Sequence, residues 1–292
     1  MVEFKHNILL HPRSEAQIQS FMQNPTHVLL ITGIAGSGKP TLAKIVAANL
    51  LQIDDFALDN YPYFWHLQAP EGKQDIPIES VREIVEKLRL KTPGRKVIRR
   101  VILIEDAQRL SLEAQNAMLK TLEEPSAETV FILTAPASRN LTPTIASRVQ
   151  IINLNAVSRD AVIDFYGQGF APADIEANWR LSAGAPGLLD ALLKNSSQHP
   201  LRSAVDSFKQ FLATDTFGRL IDSERLGRDK TQLVHFLDAG GRVLRALQAG
   251  ANRSQTVRLT RARQLLLNLQ AALEANANPR LVASELALKL KI

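Results

Sequence analysis

A short apolar run, Val28-Leu29-Leu30-Ile31-Thr32, stops at Gly33 and is followed by Ile34-Ala35-Gly36-Ser37-Gly38-Lys39-Pro40-Thr41. Behind it Leu42, Ile45, Val46, Ala48 and Leu50 recur at helical spacing. Strand, glycine-rich turn and helix in this order constrain the chain more than any other feature. Glycines let backbone N–H groups wrap an anion, a lysine reaches the outer phosphates, and the helix start adds a favourable dipole. The candidate nucleotide-binding residues are Gly33, Gly36, Gly38, Lys39 and Thr41. One position departs from the pattern. Pro40 stands where a metal-binding Ser or Thr belongs, and it offers neither a hydroxyl nor an N–H. Proline is tolerated in the first turn of a helix, so the loss is chemical and not architectural. Thr41 follows one residue later, which turns its side chain by about 100° around the helix.

Three further segments read as strands: Val101 to Ile104, a buried-strand candidate, Val130 to Thr134 and Val149 to Leu154. Ser111 to Glu124 reads as a helix, with Ser111 as N-cap and Pro125 beyond its end. Strands alternating with helices predict a parallel sheet covered on both faces. Hydrolytic phosphate-loop proteins place Asp at the end of a second strand for magnesium, often followed by a Glu that orients water. Here the strand ends in Glu105-Asp106, the reverse order, with the first carboxylate one methylene further out. Thr134 closes the third strand, where its hydroxyl can reach phosphate or water or can serve structure alone. Phe64, Trp65 and Leu67 are expected as a core strand, with an exposed partner site as the alternative. Arg95, Lys96, Arg99 and Arg100 form a basic run that is either a solvated loop or a DNA or subunit contact.

Beyond residue 155 no strand is evident. Helices are expected over 160–166, 172–182, 186–194, 202–213, 230–247, 258–275 and 280–290, with a polar linker from Asn195 to Pro200. The expected division is a phosphate-loop α/β domain at 1–155, a small helical domain at 156–197 and a helical domain at 198–292. The sequence holds no cysteine, which excludes disulfides, thiolate catalysis and Cys-based zinc, and its six His show no ligand spacing. No metal site is expected. The net charge of +6 permits nucleic-acid contact without demanding it. Residues 1–10 do not read as a signal peptide, and no run approaches the roughly 20 apolar residues that span a bilayer. The expectation is a cytoplasmic protein with no membrane contact.

Two runs, Ile104-Glu-Asp-Ala-Gln-Arg-Leu110 and Ala114-Gln-Asn-Ala-Met-Leu-Lys-Thr-Leu-Glu-Glu-Pro125, resemble the clamp-loader branch of the AAA+ ATPases. Leu141-Thr-Pro-Thr-Ile-Ala-Ser-Arg-Val149 looks like that family's Ser-Arg-Cys motif, with Val149 in place of Cys. Ile76 to Ile84 fits the segment that precedes a helix between the two nucleotide motifs, and Leu273 to Leu281 is similar to the closing segment of the bacterial delta-prime branch. The resemblance implies a parallel-sheet AAA+ domain, a helical lid and a C-terminal collar that joins subunits into a hetero-pentamer. Its ATP-bound members open a sliding clamp and place it on primer-template DNA. The delta-prime branch acts as a rigid stator and donates the arginine of the Ser-Arg motif to a neighbour's nucleotide, which makes Arg148 the arginine-finger candidate. ATP or ADP would be held weakly, without productive magnesium. In Ala183-Gly-Ala-Pro-Gly-Leu188, Leu188 falls where active relatives carry a second-sensor arginine. The family's four-Cys zinc module is missing. Arg242, Arg245, Arg258, Arg261 and Arg263 would flank packed collar faces, some pairing with neighbouring subunits. Two other readings remain: a self-sufficient phosphate-loop ATPase, and a DNA-binding regulator on a related core.

Overall fold

The computed structural model describes residues 4–70, 73, 75–90, 92–94, 96–196 and 199–291. Its contacts divide the chain into two compact units, Met1–Val157 and Ser158–Ile292. The expected boundary at residue 197, and Ser197 and Gln198 of the expected linker, lie outside the described residues.

The first unit is built on five parallel strands, β1 (Val28–Gly33), β2 (Phe64–Leu67), β3 (Arg100–Ile104), β4 (Thr129–Ala135) and β5 (Gln150–Leu154). Their order is β2-β3-β4-β1-β5. β1, β3 and β4 are buried along their whole length, which is why they read as unbroken apolar runs and not as alternating patterns. Alternate residues serve opposite cores. Leu29, Ile31, Val101, Leu103, Val130 and Ile132 face one side with α1 (Pro12–Gln23) and α2 (Lys39–Leu51). Leu30, Ile102, Ile104, Phe131 and Leu133 face the other with α3 (Ile78–Leu88) and α4 (Leu112–Glu123). A short α5 (Pro143–Ala146) leads into β5. Ser111 caps α4 as expected, its hydroxyl accepting from the Ala114 N–H at 3.1 Å. Helix α1 was not evident in the sequence. Its cap is His11, whose Nδ1 accepts from the Arg13 N–H, and among its apolar residues only Ile18, Phe21 and Met22 are buried.

The described cations of the basic run ahead of β3, Lys96, Arg99 and Arg100, each make hydrogen bonds within the chain. Arg95 lies outside the described residues. Lys96 donates to the Leu51 carbonyl at 2.6 Å, closing the C-terminus of α2, where Gln52 turns left-handed. Arg99 donates to the carbonyls of Thr92 and Gly94, both at 2.8 Å. Arg100 is 2% exposed and donates to Thr129 Oγ1, Ser126 Oγ, Glu128 Oε1 and the carbonyls of Leu88 and Leu90. A guanidinium can be buried only when its donors are met and its charge is paired, and both conditions hold here. It ties the end of α3 to the start of β4.

The second unit contains α6 (Arg159–Tyr166), α7 (Pro172–Ser182), α8 (Pro186–Leu193), α9 (Pro200–Ala213), α10 (Thr216–Leu226), α11 (Lys230–Gln248), α12 (Arg253–Glu274) and α13 (Pro279–Lys289). Its described residues include no strand. Phe236 sits 5.1 Å from the Phe208 ring and 5.3 Å from Phe211. Gly240 makes this crossing of α9 and α11 possible, because a Cβ there would lie 2.4 Å from the Phe208 ring. Helix α10 was not anticipated, since Phe217 and Ile221 point to solvent and break the apolar rhythm. Helix α12 starts five residues earlier than expected, at a capping box between Asn252 and Gln255. Among the described residues no helix is long and apolar enough to cross a membrane.

Arg100→Met is expected to destabilise the first unit by about 3–5 kcal/mol, the cost of breaking a buried pair from one side, read as a lower urea midpoint. Gly240→Ala is expected to cost about 1–3 kcal/mol in the second unit through overpacking against Phe208.

Candidate nucleotide site

β1 delivers the loop to the C-terminal edge of the sheet, the edge where open α/β sheets bind ligands. Its last residue has no space for a side chain. A Cβ on Gly33 would lie 2.8 Å from Ser37 Oγ and 3.0 Å from Leu154 Cβ. Gly36 and Gly38 take φ of 78° and 85°, left-handed values that glycine adopts without strain. The loop therefore curls tightly into the first turn of α2, and Pro40 occupies that turn without disturbing it. Thr41 is exposed.

Lys39 is 8% exposed, and its ammonium folds back on its own loop, donating to the Gly33 carbonyl at 2.9 Å and the Ile34 carbonyl at 3.3 Å. Burial pulls its pKa below the usual lysine range, while Asp106 and then Glu105 push it up. Both carboxylates at the end of β3 are thus close enough for their fields to act on Lys39. Ser37 Oγ is buried and has no partner. A buried hydroxyl without a partner in a glycine-rich loop at a helix start is an arrangement that a phosphate oxygen satisfies.

Each carboxylate of the acidic pair has a neighbour on one of its oxygens. Glu105 Oε2 lies 3.1 Å from His66 Nε2 on the neighbouring strand. Asp106 leaves the strand at φ 52°, and its backbone N–H donates to Thr134 Oγ1 at 2.9 Å. Gln108 Nε2 donates to Asp106 Oδ1 at 3.2 Å. Thr134 is fully buried, and the bond it makes fixes the turn at the end of β3. The loop fits a phosphate; the donors present do not fit the usual metal, because the hydroxyl is missing and the longer carboxylate already has an imidazole neighbour.

The structure thus brings Lys39, Glu105, Asp106 and Thr134 together and leaves Thr41 aside. It adds two groups that the sequence reading did not single out, His66 and Gln108. His66 was within reach of reasoning. Phe64↔Val101 through Leu67↔Ile104 is the register of β2 on β3, so His66 shares a sheet face with Leu103 and Glu105. Without knowing that β2 pairs there, the histidine carries no signal.

Arg148 follows α5 on the surface, and none of its recorded partners belongs to the Lys39 cluster. Its guanidinium pairs with Glu123 Oε1 at 2.8 Å and donates to the Thr144 carbonyl at 2.7 Å and to Ser147 Oγ at 3.1 Å. The side chains of Arg148 and Glu123 are 35% and 44% exposed, so their attraction is worth about 0–1 kcal/mol. In the second unit Leu188 is fully buried against Ala185 and Leu201, in a small apolar cluster.

Comparison with known proteins adds the family. The family described as DNA polymerase III, delta subunit, matches residues 13–158, half of the chain. The DNA polymerase III subunit delta' of Pseudomonas aeruginosa is 34% identical over 42% of this chain and 41% of its own length. That of Escherichia coli K12 is 28% identical over 64% of this chain and 61% of its own. The chain therefore spans between two fifths and three fifths of the length of these relatives. A DNA polymerase III gamma-subunit-related protein of Thermotoga maritima shares the fold over 94% of this chain and 97% of its own, with a TM-score of 0.56 and 17% identity. The matched residues take in all five strands, the phosphate loop and the acidic strand end, and the chain belongs to the DNA polymerase III delta-subunit family, among the AAA+ clamp loaders.

Proposed function

We propose that this chain is a delta-prime-type stator of a bacterial clamp loader. It hydrolyses ATP weakly or not at all and donates Arg148 to the nucleotide of a neighbouring ATPase subunit. The observation that carries the reading is the incomplete donor set for magnesium: Pro40 at the hydroxyl position, and Glu105 already beside His66. Lys39, Gly36 and Gly38 retain the means to hold the phosphates of ATP or ADP, and a nucleotide held this way would lack productive magnesium. The apolar burial of Leu188 supports the same reading, since a side chain packed in this way offers no phosphate contact.

In this role Arg148 acts through charge. A guanidinium supplied across an interface neutralises the charge that builds on a transferring phosphoryl group, and its planar fork suits phosphate oxygens. Its resting partner Glu123 is weak and exposed, so release costs little. The partners are the other subunits of a hetero-pentamer and, through them, the sliding clamp and primer-template DNA in the cytoplasm. Residues 156–197, all but the first two of them in the second unit, would form the lid, and 198–292 the collar that joins the subunits.

A self-sufficient ATPase is the second reading. It is favoured by Lys39 and two carboxylates still lying in one cluster. ATP turnover by the isolated chain that disappears in Lys39→Ala would support it over the stator.

Two outcomes are expected. Pro40→Ser alone yields no robust hydrolysis in a phosphate-release assay, because the order of the acids, His66 and Leu188 are unchanged; brisk turnover would contradict the stator reading. Arg148→Ala lowers the DNA-stimulated ATPase of the assembled complex by about 10³-fold or more at the affected site, the scale of an arginine finger, while gel filtration shows intact assembly. An unchanged rate removes the finger role.

A further inference from the structure

The positive charge of this chain is concentrated in one place. Between Ala239 and Leu273 there are six arginines, no lysine and no acid, so this stretch alone equals the +6 of the whole sequence and the remainder sums to zero. It comprises the second half of α11, the turn at 249–252 and nearly all of α12. Two of the six are used internally. Arg242 is 7% exposed and pairs with Asp238, and Arg263 donates to Gln248 Oε1 at 2.9 Å. The other four, Arg245, Arg253, Arg258 and Arg261, are exposed, and among the described residues none has an ion-pair partner. Gln248 fixes the hairpin, accepting from Arg263 and donating to Thr260 Oγ1 at 3.0 Å.

Nothing in helix formation asks for this. Glutamate is about as good a helix former as arginine, and like charges three residues apart, as at Arg258 and Arg261, repel. An acid-free cationic hairpin is therefore a surface whose counter-charge comes from outside the chain.

We infer that the α11–α12 hairpin binds the phosphodiester backbone of a nucleic-acid duplex, without reading its sequence. Three features select this partner from other polyanions. All six cations are arginine, whose fork engages phosphate oxygens in pairs where lysine offers a point charge. Arg253 to Arg261 covers about 12 Å of helix axis, several phosphate steps along a strand. The sequence contains no aromatic residue after Phe236, so the hairpin has no platform for stacking single-stranded bases and no aromatic anchor for a membrane interface. The surface lies wholly in the second unit, and the inference does not rest on the stator reading or on Arg148.

The test is fluorescence anisotropy of the full chain with a short labelled duplex, against the single strand of the same length, across a salt series. The duplex is expected to bind more tightly than the single strand, with log Kd linear in log salt. Arg258→Gln with Arg261→Gln is expected to lower the slope by about 1.8 and weaken binding by about tenfold or more at low salt, by the counterion released per phosphate contact. Arg258→Lys with Arg261→Lys should keep the slope and lose only part of the affinity. Arg225→Gln, at an exposed arginine of α10, is the control and should change neither. A thermal melt of each variant excludes misfolding. The inference is overturned if the double Gln variant, folded, binds duplex like the original chain. It is equally overturned if Arg225→Gln weakens binding as much, or if polyglutamate or anionic vesicles compete as well as duplex. Failure here leaves the complex-ATPase test of Arg148 untouched, and failure of that test leaves this one untouched.

Discussion

The first unit depends on one constraint, the burial of β1 on both faces and both edges. β1 pairs with β4 on one side and β5 on the other, and each of its residues is enclosed. A strand so placed has freedom only at its end, where Gly33 lies too close to Ser37 and Leu154 to carry a side chain. The start of the phosphate loop is thus fixed by the packing behind it. This explains how the loop keeps its form while parts of its chemistry are altered. Pro40 removes a hydroxyl and an N–H, yet the first turn of a helix has no intrahelical use for that N–H, so the strand, the turn and α2 are undisturbed.

The electrostatics of the site follow from the same geometry. The Lys39 ammonium is satisfied by two carbonyls of its own loop, at the cost of desolvation that lowers its pKa. The nearby carboxylates offset part of that cost. Ser37 Oγ lacks a partner. The loop thus combines a satisfied ammonium with an unsatisfied buried hydroxyl, a set of donors that suits an anion.

Long apolar runs made most of the sheet legible in the sequence. β1, β3 and β4 are buried on both faces and announce themselves without any knowledge of their partners. The glycines and Lys39 could be assigned because their spacing is local. What escaped was whatever depends on two distant segments meeting. His66 gains meaning only beside Glu105, and Glu123 only beside Arg148. The internal partners of Lys96, Arg99 and Arg100 are illegible in sequence for the same reason. Side chains that look like a cationic loop in sequence are spent on the C-terminus of α2, on loop carbonyls and on Glu128. Helices α1 and α10 were missed because their caps or exposed apolar residues depart from the local pattern, although tertiary packing holds them.

Arg100 and Arg148 show why burial, and not residue type, decides what an arginine can do. Both carry the same guanidinium, and each pairs with a glutamate. Around Arg100 five acceptors fill the fork in a site closed to water, and leaving it would strand a charge and several carbonyls, so it is confined to structure. Around Arg148 the neutral acceptors, the Thr144 carbonyl and Ser147 Oγ, are local and solvent competes with Glu123, so the side chain can exchange one anion for another at little cost. A group meant to reach a partner's phosphate must be held where it can be found and loosely enough to be taken. Of these two arginines, only Arg148 meets both conditions.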